Sequence, residues 1–384
     1  MKRVLIFSLA YFPYVGGAEV AIKELTDRIA PEDLAFTMLT MRKGDEPHEE
    51  CVGNVRVIRL GRSGSYLSKI LFVPRAALYA RRLHRAEPFD LAWAMMTYMV
   101  FPLALLRLAG TRIPYVLTLQ DGDPFEHVFK RWYIRPLAPL VRYGFRHATA
   151  ISVLSTYLAG WAKRLGYQGE PVLVPNGAAY ARFAQAPPRD FGRAPGEVWL
   201  VTSSRLVHKN AVDDVIRALA RLPDRIRFLV LGTGVDELAL KALAREVGVE
   251  GRVRFLGHVS HEELPSYLHA CDIFIRPSRT EGFGSSFVEA MAAGLPVIAT
   301  QEGGIADFLF DAKRNPDAPT TGWAVDKDSP EQIATAIEDI VAHPELVGRV
   351  TENAARMVQE KYDWDTVAEQ MRKVLQGALG KSAA

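Results

Sequence analysis

Pro277-Ser-Arg-Thr-Glu281-Gly-Phe-Gly-Ser-Ser-Phe-Val-Glu289-Ala-Met-Ala-Ala-Gly294-Leu-Pro296-Val-Ile-Ala299 is the stretch that decides the reading of this chain. It follows an apolar run, Asp272-Ile-Phe-Ile-Arg-Pro277, that reads as a buried parallel strand. The chain then turns through Gly282 and Gly284 into a helix expected to begin near Ser285, and a second strand starts at Pro296. Strand, glycine loop, helix and strand therefore succeed one another, with a carboxylate at each edge of the loop. Backbone N–H groups at such a helix start are unpaired, and the helix dipole favours an anion there. Glycines let a phosphate approach the backbone. A loop that holds an anion beside Glu281 suits a ligand that is part phosphate and part polyol, as a sugar nucleotide is.

Outward from this motif, β-branched runs alternate with amphipathic helical segments, which predicts parallel sheets covered by helices. Strands are expected at Arg3–Leu9, Ala35–Thr40, Val55–Leu60, Leu91–Ala94, Pro114–Leu119, Thr149–Val153 and Val172–Val174. A second set falls at Val198–Thr202, Ile226–Leu231, Val253–Leu256, Asp272–Ile275, Pro296–Thr300 and Gly322–Val325. A chain of 384 residues is too long for one ordinary core. The Pro- and Gly-rich stretch Ala186–Gly196 cannot propagate either element, so the linker is placed there. This gives an α/β protein of two doubly wound domains, 1–185 and 186–362, and a terminal helix within 363–384. The carboxyl ends of their strands should face a central cleft, where ligands of such sheets bind.

The formal charge of +3 is too small to argue for a nucleic-acid partner, and none is expected. Cys51 and Cys271 lack metal-ligand spacing and are expected in or near apolar cores, as in a reducing compartment. The apolar start of the chain reads as a first strand rather than a signal peptide, and no stretch approaches the roughly 18 apolar residues of a spanning helix.

Polar signals cluster at strand ends. Ser203-Ser-Arg205-Leu-Val-His-Lys209-Asn210 carries two cations that could converge on a diphosphate; alone, such a pair is more often solvated surface. Glu289 lies just over one helical turn past Ser285, so it can point back to the cleft and accept from a vicinal diol such as a ribose. The alternative makes both glutamates ordinary helix-end acids, which suits Glu281 poorly because it precedes the loop. Gly16-Gly17 opens a helix and permits a phosphate or marks a tight turn. Gln120-Asp121-Gly122-Asp123 is either a site for a hydroxyl acceptor or a plain turn. Gly232-Thr-Gly234 lacks the third glycine of a dinucleotide site and reads as a helix-entry turn, whereas Gly303-Gly304-Ile-Ala-Asp307 could line the cleft. Two basic segments, Arg62–Ala86 and Lys130–Arg146, interleave Arg and Lys with large apolar residues, Tyr133 among them. They suit anionic lipid head groups, or else an apolar stripe facing the core with a solvated basic back.

On these residues the chain resembles the retaining GT-B glycosyltransferases of family 4, over essentially its whole length. The E-x7-E element at Glu281 and Glu289 and its pairing with S-R-L-x-x-K-N are specific to that family. The resemblance implies two Rossmann-like domains, the first binding the acceptor. It implies Arg205 and Lys209 on the donor diphosphate and Glu289 on the ribose. Glu281 and the segment Phe283, Gly284, Ser285, Ser286 would hold the donor sugar and phosphates. Gly16 and Gly17 would close on the diphosphate, and His258 and Val259 would meet the base. Pro175-Asn176-Gly177 matches the family's pattern, and the helix from Trp364 would cross back onto the first domain. Where many relatives carry a histidine, this chain has Gln120, so Asp121 or Asp123 is the candidate substitute. Ala306-Asp307 replaces the commoner Pro-Glu. The implied donor is a UDP-, GDP- or ADP-sugar with no metal or other cofactor, and the implied acceptor is a saccharide or lipid-linked hydroxyl of envelope polysaccharide assembly. The expected place is the cytoplasm, with peripheral contact at the inner face of the membrane. A sugar-nucleotide 2-epimerase of the same scaffold, or a non-catalytic sugar-nucleotide binder, remain as alternatives.

Overall fold

The computed structural model describes residues 1–14, 16–61, 65–132 and 134–381. Arg62 and Tyr133 of the basic segments, and the last residues of the expected 363–384 segment, lie outside this set. The chain forms two units, Met1–Asn176 with Trp364–Ala384, and Gly177–Asp363.

The first unit is built on eight strands: β1 Lys2–Phe7, β2 Leu34–Met41, β3 Glu49–Val52, β4 Val55–Leu60, β5 Leu91–Met95, β6 Tyr115–Leu119, β7 Ala150–Val153 and β8 Val172–Leu173. Their order is β3-β4-β2-β1-β5-β6-β7-β8, and every pairing is parallel except β3 with β4. β5 and β6 are buried along their whole length, and β1 from Val4 to Phe7, as strands covered on both faces must be. β3 was not among the expected strands, because two of its four residues are glutamates. It exists because Gly53, at φ +56, turns with Asn54 into a hairpin against β4. The expected burial of Cys51 is therefore corrected: it lies exposed on this edge strand, whereas Cys271 is buried.

The helix Trp364–Gly380 belongs to the first unit and packs on the helix Gly17–Asp27 and beside β5, β6 and β7. Its buried face is Val367, Met371, Val374 and Leu375, at helical spacing. Asp365 accepts from Arg28 Nε at 2.6 Å.

The second unit contains β9 Val198–Ser203, β10 Ile226–Leu231, β11 Val253–Gly257, β12 Ile273–Arg276, β13 Val297–Ala299 and β14 Trp323–Ala324, in the order β11-β10-β9-β12-β13-β14, all parallel. Taken in chain order this is 3-2-1-4-5-6, the doubly wound arrangement. Val215, Ile216 and Leu219 of the helix Val212–Leu219 close its core against Leu200, Phe228 and Ile275. Each such side chain contributes about 1.5–3 kcal/mol of burial.

The boundary between the units corrects the expectation of 185/186. The stretch Ala186–Gly196 is fastened to the second unit: Arg189 N donates to Ser266 O at 2.8 Å, and Phe191 packs edge-on to Trp199 at 4.9 Å. Ahead of it, Ala178 N donates to Tyr362 O at 2.7 Å, so the second unit already begins at Gly177.

Candidate active site

In a doubly wound sheet the strand order reverses at one crevice, and here it reverses between β9 and β12. The two most informative motifs leave the carboxyl ends of these two strands. Backbone bonds fasten the Arg205 loop to its neighbours: Leu206 N donates to Thr233 O at 2.9 Å, and Asp236 N to Leu206 O at 3.1 Å. A Cβ on Gly232 would lie 1.9 Å from Ser204 O, and one on Gly234 would lie 2.0 Å from Leu206 O. Gly232-Thr-Gly234 is thus more than a helix-entry turn, since its missing side chains let β10 close against the Arg205 loop. Arg205 is exposed and Lys209 half-buried. Asn210 Nδ2 donates to Arg205 O at 2.7 Å and shapes the turn between them.

The β12 loop meets this one directly. Arg279 N donates to Lys209 O at 2.7 Å, and Arg279 Nη1 donates to His208 O at 2.6 Å. The same guanidinium is held by Asp213 and Asp214 from the first turn of the helix Val212–Leu219. Gly284 stands at φ +89 and starts the helix Ser285–Ala292, in agreement with the sequence. A Cβ there would lie 2.5 Å from the Phe287 ring and 2.9 Å from Arg276 Nη2, so glycine is required by conformation and by space. Phe283 is core rather than lining, its ring 5.4 Å from Phe308, so only its backbone is available to a ligand. Gly304 N donates to Glu281 O at 2.9 Å, which brings the Gly303-Gly304 loop against the same carboxylate-bearing residue.

Arg276 organises this corner, and the sequence reading did not single it out. It is 6% exposed, and burial lowers its pKa while Glu281 and Glu289 oppose that shift. Its Nη2 donates to Glu281 Oε2 at 3.1 Å, and its Nη1 donates to Ser286 Oγ at 2.8 Å and Ser203 O at 3.3 Å. The guanidinium lies over the Phe287 ring, 4.1 Å from its centroid. One side chain thereby joins the end of β9, the first E-x7-E carboxylate and the helix start. Thr202 Oγ1, Ser204 Oγ, Asn210 Oδ1, Arg276 Nε and Ser278 Oγ are buried here with no hydrogen-bond partner among the described residues. Buried polar atoms are rarely left so, and their concentration at one crevice marks it as polar by construction.

Glu289 is 8% exposed and its Oε1 lies 2.9 Å from His261 Nε2. His258 is exposed and Val259 half-buried, just beyond β11, where Gly257 O accepts from Gly232 N at 2.7 Å. Arg205, Lys209, Glu281, Ser285, Ser286 and Glu289 thus stand on segments linked around one crevice.

The remaining candidates lie in the first unit. Gly16 caps the helix Gly17–Asp27 in extended conformation. A Cβ on Gly17 would fall 3.7 Å from Asn176 Nδ2, and Asn176 Oδ1 accepts from Gln120 Nε2 at 2.6 Å. Gln120 Oε1 is buried without a partner among the described residues. Asp121 is not a cleft-facing acid: it is 4% exposed and accepts from Thr97 N at 3.3 Å and from Thr97 Oγ1. Burial pushes its pKa up to about 6, with the Thr97 bonds opposing. Its carboxylate fastens the loop after β5, which a buried acid beside a hydroxyl does well.

The basic segments resolve into faces. In the helix Tyr66–Ala86, Leu67, Ile70, Leu71, Arg75, Leu78, Arg82 and Arg85 recur at three- and four-residue spacing and are exposed, while Phe72, Ala76, Ala77 and Ala80 are buried. Leu67, Ile70, Leu71 and Leu78 therefore point outward, while Phe72 faces the core. Trp132 is 84% exposed, and Arg135, Arg142 and Arg146 are exposed nearby in sequence. Among the described residues no helix is long and apolar enough to cross a membrane.

Two doubly wound units, the second with a glycine-rich, two-carboxylate loop at its switch point, are the features that comparison with known proteins identifies. Residues 16–177 match the glycosyl transferase 4-like domain, and residues 188–357 match the glycosyl transferases group 1 family. The GDP-mannose-dependent alpha-(1-6)-phosphatidylinositol monomannoside mannosyltransferase of Mycobacterium tuberculosis is 27% identical, over 98% of this chain and 99% of its own. Sucrose-phosphate synthase from Thermosynechococcus elongatus superposes with a TM-score of 0.85 at 20% identity, over 99% of this chain and all of its own (100%). Anabaena HepE, solved with UDP and glucose, gives a TM-score of 0.78 at 21% identity, over 98% of this chain and 100% of its own. The chain belongs to the group 1 GT-B glycosyltransferases.

Proposed function

We propose that this enzyme moves a hexosyl group from a nucleoside-diphosphate sugar to a hydroxyl of a lipid-linked acceptor, with the anomeric configuration retained. The observation that carries the reading is the joining of the Arg205–Asn210 and Arg276–Glu289 segments through Arg276 and Arg279. It sets two cations, a helix start and two carboxylates around one crevice. Charge builds on the leaving diphosphate as the C1–O bond lengthens. Arg205, Lys209 and the N–H groups at Ser285 and Ser286 answer that charge, and they are in place before reaction. Glu281, held by Arg276, orients hydroxyls of the transferred sugar, and Glu289 accepts from the ribose diol. The bond from C1 to the phosphate oxygen breaks while the acceptor oxygen attacks from the same face. The acceptor proton passes to the departing phosphate, so no separate side-chain base is required. Asp121 takes no part in this scheme, being committed to Thr97.

The lipid character of the acceptor is supported by the mycobacterial relative, named for a phosphatidylinositol mannoside. It is also supported by the outward apolar and basic face of the helix Tyr66–Ala86, which suits an anionic bilayer. The test is a panel of UDP-, GDP- and ADP-sugars with lipid extracts as acceptor, reading nucleotide release and product anomer by NMR. Release that depends on acceptor, with an anomer matching the donor, is expected. An inverted product, or epimerised nucleotide sugar without transfer, would overturn the proposal.

A further inference from the structure

The carboxylate assigned above to the ribose has a partner that no sequence motif announces. His261 lies beyond β11 and its ring bridges two elements. Arg182 Nη2 is 2.9 Å from Nδ1, and Glu289 Oε1 is 2.9 Å from Nε2. A guanidinium can only donate, so Nδ1 accepts and the proton resides on Nε2, directed at the carboxylate. The imidazole is itself fixed. Phe183, beside Arg182 on the short helix Tyr180–Ala184, packs a ring against it at 5.7 Å, and Phe183 O is within 2.6 Å of His269 Nε2. The side chain of Glu289 is 10% exposed and that of His261 29%, so little water competes for the bond.

We infer that His261 is a positioning residue that determines selectivity for the ribose of the donor nucleotide, an inference that rests on the ribose reading of Glu289. A carboxylate has two oxygens and about four acceptor sites. Fixing Oε1 on His261 removes rotation about the last side-chain bond and leaves the remaining sites in one orientation. Such a carboxylate meets a 2′,3′-diol without first being ordered, and preorganisation of this kind raises affinity. A 2′-deoxyribose forfeits one charge-assisted hydrogen bond, a loss of roughly ten- to a hundredfold in affinity. A carboxylate free to turn would discriminate less, because it could re-aim at the remaining hydroxyl.

The test uses the full-length protein and four nucleotides, UDP, GDP and their 2′-deoxy forms, titrated calorimetrically. Wild type should prefer the ribonucleotide of the accepted base by about tenfold or more. His261→Ala should reduce that preference to roughly threefold or less. His261→Gln, whose distal amide still donates near the Nε2 position, should retain most of it, while His261→Asn, which reaches only the Nδ1 position, should behave as the alanine variant. A merely structural role would weaken ribo- and deoxyribonucleotides equally, and an unchanged ratio in His261→Ala or His261→Asn would overturn the inference. Glu289→Gln separates the two layers. If it abolishes the preference while the His261 variants keep it, Glu289 reads the ribose without His261; if it leaves the preference intact, the ribose assignment itself falls and this inference with it.

Discussion

Arg276→Met should destabilise the second unit through the charge it leaves behind. The Arg276 and Glu281 side chains are only 7% and 13% exposed, with 3.1 Å between Nη2 and Oε2. Removing one partner of a pair this buried costs about 3–5 kcal/mol, because the other stays charged with nothing to answer it. Ser286 Oγ and Ser203 O lose their donor as well. Methionine keeps an apolar contact over Phe287, so lost packing is the smaller share. For a unit of this size about 2–4 °C of melting temperature accompanies each kcal/mol, which predicts a fall of roughly 6–20 °C in calorimetry. Adding Glu281→Gln removes the stranded charge and should recover at least about half of the loss, since replacing both members of a buried pair is often near neutral. A double variant as unstable as the sum of the two singles would refute the reasoning, because Glu281 would then owe nothing to Arg276.

Three further outcomes are expected. Gly303→Ala places a Cβ 2.0 Å from Glu281 O at φ +66, so it should weaken sugar-nucleotide binding by about five- to a hundredfold, from backbone strain and overlap of roughly 1–3 kcal/mol, in a protein that still folds; wild-type affinity by titration would show that the loop yields freely. Asp121, whose pKa is raised by burial to about 6, binds its proton more tightly folded than unfolded, so the first unit should gain stability as pH falls from about 6 toward 4, by on the order of 3 kcal/mol. Asp121→Asn should flatten that part of the denaturant-midpoint profile, and an unchanged profile would contradict the assignment. Replacing the exposed Arg82, Arg142 and Arg146 by glutamine should lower affinity for anionic vesicles in a sedimentation assay by roughly a hundredfold, at about 1 kcal/mol per charge near the surface; undiminished binding would remove the basic faces from the account.

The parallel strands were legible because burial on both faces forces long β-branched runs, and Asp272–Ile275 or Ile226–Leu231 could hardly be anything else. β3 was hidden by its glutamates, although Gly53-Asn54 ahead of Val55 carried a hairpin signal. The Pro- and Gly-rich stretch misled for a physical reason: it does break both elements, but tertiary bonds from Arg189 and Phe191 fasten it to the second unit. Within the site, Glu281, Gly284 and the Ser285 helix start followed from spacing alone. Arg276 was discoverable, since an arginine ending an apolar strand demands partners. His261 was not, because its meaning arises only when Arg182 and Glu289, distant in sequence, come to its two nitrogens. Asp121 shows the converse, an acid in a suggestive loop that folding turns toward Thr97.

The central claim is that Arg205 and Lys209 receive the donor's diphosphate at the β9–β12 crevice. Calorimetric titration of a nucleoside diphosphate and its parent nucleoside into wild type and the Arg205→Ala/Lys209→Ala variant tests it most directly. Each charge-assisted contact is worth about 1.5–3 kcal/mol, so wild type should favour the diphosphate by roughly a hundredfold or more and the variant should lose nearly all of that preference. A variant that still favours the diphosphate as strongly as wild type would contradict the account.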